Sequence, residues 1–246
     1  MAKQLTYFVS DVHLGLQVGD PQRREKEFLQ FLGGIDPAQT ASLYLLGDIF
    51  DFWYEYRYVV PKGGARVLGA LTWLVDCGVK VYFFEGNHDH WCFSYFEELG
   101  MVKLQQPHVT DIAGKRFCLG HGDGLGRGNY WYKFVKWVFT RSLSQTLFSA
   151  LHPWLAFRIG IAWSSRNRLT HGGFVFDPEK IPLRHFVDGF AREHEVDAFV
   201  FGHYHHRLDT RLEGGQQFVI VGDWIDGDAP YALFDGESLS LSSSAA

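Results

Sequence analysis

Leu43-Tyr44-Leu45-Leu46-Gly47-Asp48-Ile49-Phe50-Asp51 begins with four apolar residues, halts at a glycine and continues into a loop with two carboxylates. A short, unbroken apolar run bounded in this way reads as a strand buried on both faces, as at the centre of a parallel sheet. The glycine and acidic residues behind it read as a turn that sets polar groups at the sheet edge. The pattern recurs on both sides. Leu5–Val9 runs into Ser10-Asp11-Val12-His13, and residues 79–84 run into Glu85-Gly86-Asn87-His88-Asp89. Residues 116–119 precede Gly120-His121-Gly122-Asp123, and residues 198–201 precede Gly202-His203-Tyr204-His205-His206. Helical spacing covers residues 22–32, 65–77 and 182–194, the first two ending at glycines. Residues 217–221 and 231–234 are expected to close the chain as strands, and the serine-rich tail at 242–244 to fray. Strand and helix in alternation predict an α/β layered fold, with sheets flanked by helices. Ligands of such folds bind at the C-terminal ends of the strands, so the five polar loops are expected to build one site.

The chain has 246 residues, 46% of them hydrophobic, which suits a single domain over residues 1–246 with a core that needs no staple. Three scattered cysteines, Cys77, Cys92 and Cys118, do not make a disulfide framework and fit a reducing compartment. The first ten residues lack the basic start and long apolar stretch of a secretory signal. No run of about 18 apolar residues suggests a spanning helix. A net charge of −5 argues against bulk nucleic-acid binding, yet the charge is unevenly spread. Residues 124–176 hold no Asp or Glu, while Arg127, Lys133, Lys136, Arg141, Arg158, Arg166 and Arg168 supply seven positive charges. The same window holds twelve aromatic residues, including four of the eight tryptophans. One reading is a helical segment whose aromatics are core; the other is a lid that meets an anionic, partly apolar partner. Trp131, Phe134, Trp137 and Val138 would share one helix face in either case.

The strand-end loops carry Asp11 and His13, Asp48, Asn87 with His88 and Asp89, His121, and His203 with His205. Any one of these is unremarkable: Asp-x-His is usually a solvated loop, and Gly-Asn-His-Asp a turn. Five together at one sheet edge would bury many charged groups, and cations are the economical way to satisfy them. Carboxylates and imidazoles with one amide oxygen suit Mn²⁺, Fe²⁺ or Zn²⁺, and the lack of thiols argues against a structural zinc site. Asp48, between the two Asp/His groups, is placed to bridge two ions.

This ordered set resembles the calcineurin-like metallophosphoesterases across nearly the whole chain. The resemblance implies that Asp11, His13, Asp48 and His205 hold one metal, and that Asp48, Asn87, His121 and His203 hold the other. It further implies hydrolysis of a phosphoester by in-line attack, with His88 as proton donor or charge stabiliser and Asp89 orienting its ring. Ser10-Asp11-Val12-His13-Leu14-Gly15, Gly47-Asp48-Ile49-Phe50-Asp51-Phe52-Trp53 and the stretch from Gly202 to Trp224 resemble the UDP-2,3-diacylglucosamine pyrophosphatases of lipid A synthesis. So does the aromatic, basic insert at 124–176, which in that group is a helical lid. That likeness implies release of UMP and 2,3-diacylglucosamine 1-phosphate, Mn²⁺ as the metal, and a place on the cytoplasmic face of the inner membrane. The partners implied are a lipid-linked nucleotide sugar and an anionic membrane surface, with no nucleic acid. Asn129 and Arg166 are the candidate substrate contacts in the insert. The best-known branch has Gly-Asn-Arg-Asp where this chain has Gly-Asn-His-Asp, which leaves another phosphodiester, nucleic acid or phosphoprotein substrate as the alternative.

Overall fold

A computed structural model describes residues 4–128, 130–170 and 176–244, with the backbone alone over 165–170. One sheet holds β1 (Leu5–Val9), β2 (Thr40–Leu45), β3 (Lys80–Phe84), β4 (Val102–Leu104), β10 (Pro230–Phe234) and β11 (Leu239–Ser243), in the order β11-β10-β1-β2-β3-β4. The second holds β5 (His108–Ile112), β6 (Lys115–Leu119), β7 (Ala198–Phe201), β8 (Leu208–Arg211) and β9 (Gln217–Ile220), in the order β5-β6-β7-β9-β8. Helices α1 (Pro21–Gly34), α2 (Ala65–Asp76), α3 (Tyr95–Glu98) and α7 (Pro182–Glu193) belong to the body. The basic insert forms α4 (Tyr130–Phe139), α5 (Ser142–Ser149) and α6 (Pro153–Thr170).

The two-residue period of a strand sorts the core into layers. Tyr44 and Leu46 face Phe8, Phe117, Val200 and Val219 between the sheets. Their neighbours Leu43 and Leu45 face the other way, onto Phe28 and Leu32 of α1 and Leu71 and Leu74 of α2. Phe199 and Phe201 pack on Leu183 and Val187 of α7. The result is helix, sheet, sheet, helix, the α/β sandwich expected from the strand–helix alternation. Local signals set the helix starts: Asp20 caps α1 by accepting from the Gln22 and Arg23 amides, and Pro21 and Pro182 occupy first-turn positions.

The tail corrects one expectation. Ser242 and Ser243 do not fray: β11 pairs antiparallel with β10 out to Ser243 opposite Pro230, and the Ser244 amide donates to the Ala229 carbonyl at 3.0 Å. Leu239 and Leu241 alternate with serines and turn toward the inter-sheet core, so the segment has a buried face despite its composition.

β1, β2 and β3 run parallel, as do β6, β7 and β9, and their C-terminal ends meet at one edge of the sandwich. Hydrogen bonds lace the loops together there. Asp11 N donates to Gly47 O at 3.1 Å, His13 N to Asp48 O at 2.9 Å, and Gly202 N to His121 O at 2.9 Å. Across the two sheets, His203 N donates to Asp11 Oδ2 at 2.9 Å.

Candidate metal centre

Asp11, His13, Asp48, His203 and His205 all adopt left-handed backbone, with φ of 54°, 50°, 53°, 74° and 56°. Such a conformation costs a non-glycine residue roughly 1–2 kcal/mol, and it persists only where surrounding structure enforces it. Here the enforcement is the loop lacing, and the effect is to turn each side chain inward.

The inward groups form a shell of nitrogen and oxygen. His13 Nε2 lies 3.7 Å from Asp11 Oδ1 and 3.8 Å from Asp48 Oδ2. His205 Nε2 lies 3.5 Å from Asp11 Oδ1, and His121 Nε2 lies 3.4 Å from Asp48 Oδ2. Asn87 Oδ1 is 3.2 Å from His121 Nε2. The His203 ring stands 5.1 Å from that of His121. Three trios, Asp11–His13–His205, Asp11–Asp48–His121 and His13–Asp51–His88, each bring their ligand atoms within 4.8 Å of one another. Asp11 Oδ1 and Asp48 Oδ2 are buried and have no hydrogen-bond partner among the described residues. Separations of 3.4–3.8 Å are too long for hydrogen bonds. They suit atoms that each sit about 2.0–2.2 Å from a shared ion.

The electrostatics of the pocket call for positive charge. Burial works against the charged forms of Asp11 and Asp48, but His13, His121 and His205 around Asp11, and His121, His88 and His13 around Asp48, outweigh it. Both carboxyls are held below the usual carboxylate range. Burial also opposes a charge on His121, yet Asp48 and Asp11 push it up to about 10. Desolvation and the neighbouring charge of His121 push the half-buried His203 down to about 4. The donor set therefore fits divalent ions by chemistry and by charge.

Two of the imidazoles are aimed by a main-chain carbonyl at the far nitrogen. His121 Nδ1 faces Leu46 O at 2.9 Å, and His88 Nδ1 faces Asp51 O at 3.0 Å. Asp89 does not orient His88, contrary to the sequence-based expectation. Its fully buried carboxylate accepts the amides of Asp48 (3.1 Å), Ile49 (2.8 Å), Phe50 (3.2 Å) and Gly86 (2.8 Å), fastening the loop after β2 to the loop after β3. Burial and the charge on Asp48 push it up to about 7 against those amides.

The group beside His88 is Asp51, a residue not singled out from the sequence. Its Oδ1 lies 3.7 Å from His88 Nδ1 and 3.4 Å from His13 Nδ1. Ser164 of α6 donates to both Asp51 oxygens at 3.0 Å, so the insert reaches the heart of the site. A second tie joins the buried Asp123 to the insert: Tyr132 OH and Lys136 Nζ each lie 2.5 Å from its Oδ2. Trp91 Nε1 donates to Phe139 O at 3.0 Å, and Tyr54 OH to Gln145 O at 2.8 Å. The helices thus sit over the metal loops. Asn129 lies outside the described residues, and so does the side chain of Arg166.

The face of α4 carrying Trp131, Phe134 and Trp137 does not pack on the body; these rings are 76%, 52% and 52% exposed. Leu143, Leu147, Trp154 and Trp163 are exposed as well. Arg141 stacks over Trp137 at 4.3 Å and Arg158 over Trp154 at 4.7 Å. Among the described residues, no helix is long and apolar enough to cross a membrane.

The fold, the three trios and the loop order define a class. The chain belongs to the calcineurin-like phosphoesterase family, whose model matches residues 6–207. It is 37% identical to the UDP-2,3-diacylglucosamine hydrolase of Porphyromonas gingivalis, over 96% of each chain. It is 32% identical to the UDP-2,3-diacylglucosamine hydrolase of Stenotrophomonas maltophilia, over 90% of this chain and 91% of that one. In fold it is similar to a solved archaeal phosphodiesterase, with a TM-score of 0.50 at 9% identity over 98% of this chain and 99% of the other.

Proposed function

We propose that this chain hydrolyses the pyrophosphate bond of UDP-2,3-diacylglucosamine, releasing UMP and 2,3-diacylglucosamine 1-phosphate. The observation that carries the reading is an aromatic, basic helical insert tied by Ser164, Tyr132 and Lys136 to the loops of a metal-ready phosphoesterase centre. The names borne by the relatives agree with it. The chain acts as a single domain whose residues 124–176 serve as a lid.

Asp11, His13, Asp48 and His205 hold one divalent ion; Asp48, Asn87, His121 and His203 hold the second; Mn²⁺ is the metal. When bound, such ions neutralise charge on phosphoryl oxygens and make water a stronger nucleophile. His88 turns its Nε2 toward the site, 4.0 Å from Asp48 Oδ2, while the Asp51 carbonyl takes the hydrogen on Nδ1. It therefore donates from Nε2 only as an imidazolium, and serves the departing or non-bridging oxygens as a charged donor. Asp89 acts behind these groups by holding the two loops together. Asn129 and Arg166 contact the head group, and the aromatic helices cover the acyl chains.

Burying acyl chains is worth about 0.8 kcal/mol per methylene, so ten methylenes supply several kcal/mol even after ordering costs. UMP release from UDP-2,3-diacylglucosamine in mixed micelles is expected to exceed that from UDP-N-acetylglucosamine by about a thousandfold in kcat/KM. Equal rates on the two would contradict the lid. Activity on simple phosphodiesters alone would keep the chemistry and discard the substrate.

The exposed tryptophans and leucines of α4, α5 and α6, with Arg141 and Arg158 among them, suit the cytoplasmic face of an anionic leaflet, where they would dock the protein peripherally. Flotation with anionic liposomes should carry the protein upward, and Trp131→Ala with Trp137→Ala should return most of it to the soluble fraction. Wild-type protein that stays wholly soluble would contradict the docking.

A further inference from the structure

Among Asp11, His13, Asp48 and His205, the proposed ligands of one ion, His205 is the least buried. The side chains of Asp11, His13, Asp48 and His121 are all but fully buried, whereas that of His205 is 33% exposed. It stands on a left-handed residue in the loop after β7. Its ring stacks on His13 at 5.0 Å and 23°, a contact that limits its tilt but leaves open which nitrogen faces the site.

That choice is made by Asp223. His205 Nδ1 lies 3.1 Å from Asp223 Oδ2. A carboxylate only accepts, so Nδ1 carries the hydrogen and Nε2 turns its lone pair inward, toward Asp11 Oδ1 at 3.5 Å. Asp223 is itself held, because its Oδ1 accepts the Ile225 amide at 2.7 Å. The next residue anchors the loop: Trp224 N donates to Asp11 O at 3.2 Å, and the fully buried Trp224 ring meets Phe28 edge-on at 5.2 Å. His121 and His88 are instead aimed by main-chain carbonyls, which no substitution removes.

We propose that Asp223 is a positioning residue for the ion held by Asp11, His13, Asp48 and His205. It fixes the tautomer and direction of the more accessible imidazole of that set. This rests on the two-ion reading above. Carboxylates placed behind a ligating imidazole typically change metal affinity by tenfold to a hundredfold.

The test is a Mn²⁺ titration of the full-length protein, read by the paramagnetic resonance signal of free Mn²⁺, for wild type, Asp223→Ala and Asp223→Asn. Wild type is expected to take two ions. In Asp223→Ala one site should weaken by about tenfold to a hundredfold while the other holds its affinity. Asp223→Asn, whose amide oxygen still accepts from Nδ1, should fall nearer to wild type. Turnover of Asp223→Ala should recover as Mn²⁺ is raised, and its metal-free melting temperature should match wild type. Two undiminished sites in Asp223→Ala would overturn the proposal. So would an equal loss at both sites together with a lower metal-free melting temperature, since that is the mark of a merely structural residue. Wild-type protein that takes fewer than two ions would overturn the two-ion reading itself, whatever Asp223 does.

Discussion

Replacing Asp48 with alanine is expected to lower kcat by about a thousandfold or more, with excess Mn²⁺ failing to restore it. Asp48 lies between candidate ligands from two loops, with Oδ2 3.8 Å from His13 Nε2 and 3.4 Å from His121 Nε2, which is why the proposed reading gives it to both ions. Its other oxygen accepts the His88 amide at 2.8 Å. Stability should fall as well. In metal-free protein His121, His88 and His13 hold the Asp48 carboxyl below the usual carboxylate range, so its charge is stabilising, and removing it also takes the acceptor from the His88 amide. Metal-free Asp48→Ala should therefore melt below wild type. Added Mn²⁺ should raise the melting temperature of wild type, by the equivalent of about 2.7 kcal/mol at a hundredfold excess over Kd, and leave the variant nearly unmoved. A variant that keeps both turnover and the Mn²⁺ shift would remove Asp48 from the centre.

Adding one methyl group at Gly86 is expected to do nearly as much damage. A Cβ there would lie 2.2 Å from Asp48 Oδ1 and 2.5 Å from Asp48 N, so backbone and ligand both have to yield. Gly202 is in the same position on the other side, with a Cβ 1.8 Å from Ser10 Oγ and 2.5 Å from Asp11 Oδ2. Displacements near an ångström in such a centre cost about a hundredfold in rate, and overpacking a filled site costs roughly 1–3 kcal/mol. Gly86→Ala should show both losses. Gly189 in α7 has no atom within 4 Å of the same added carbon, so Gly189→Ala should keep full activity and gain up to about 1 kcal/mol of stability. If Gly86→Ala matched Gly189→Ala in both respects, the two loops would not be packed as described.

The fold was legible where residues repeat a period, and the site where a motif ends a strand. The apolar runs ending at Asp11, Asp48, Asn87, His121 and His203 each stand where a buried parallel strand stops, so both the sandwich and the convergence of the candidate ligands followed from them. Asp51, Asp223 and the part played by Asp89 were not legible. Asp51 and Asp89 share loops with candidate ligands, and only three-dimensional packing shows that Asp89 fastens the loops, in place of aiming His88, while Asp51 meets His88 and His13. Asp223 had a signal: Val219-Ile220-Val221-Gly222-Asp223 repeats the form of Leu45-Leu46-Gly47-Asp48, an apolar strand closed by Gly-Asp. The edge strands β5, β8 and β11 were obscured because half their residues face water, leaving too short an apolar pattern to stand out. The outward turn of Trp131, Phe134 and Trp137 was undecidable from spacing, since a helix face has the same period whether it meets protein or lipid.

The central claim is that this chain hydrolyses UDP-2,3-diacylglucosamine at the uridylyl phosphorus, at a centre whose Asp and His side chains would hold the divalent ions the reaction needs. The most direct measurement is hydrolysis of that compound in mixed micelles in water enriched in the heavy oxygen isotope, with and without a chelator, followed by mass analysis of both products. Heavy oxygen in UMP, none in 2,3-diacylglucosamine 1-phosphate, and no reaction with chelator is the expected result. Label in the sugar phosphate, turnover that survives the chelator, or an inert acylated substrate beside rapid hydrolysis of a simple phosphodiester would contradict it.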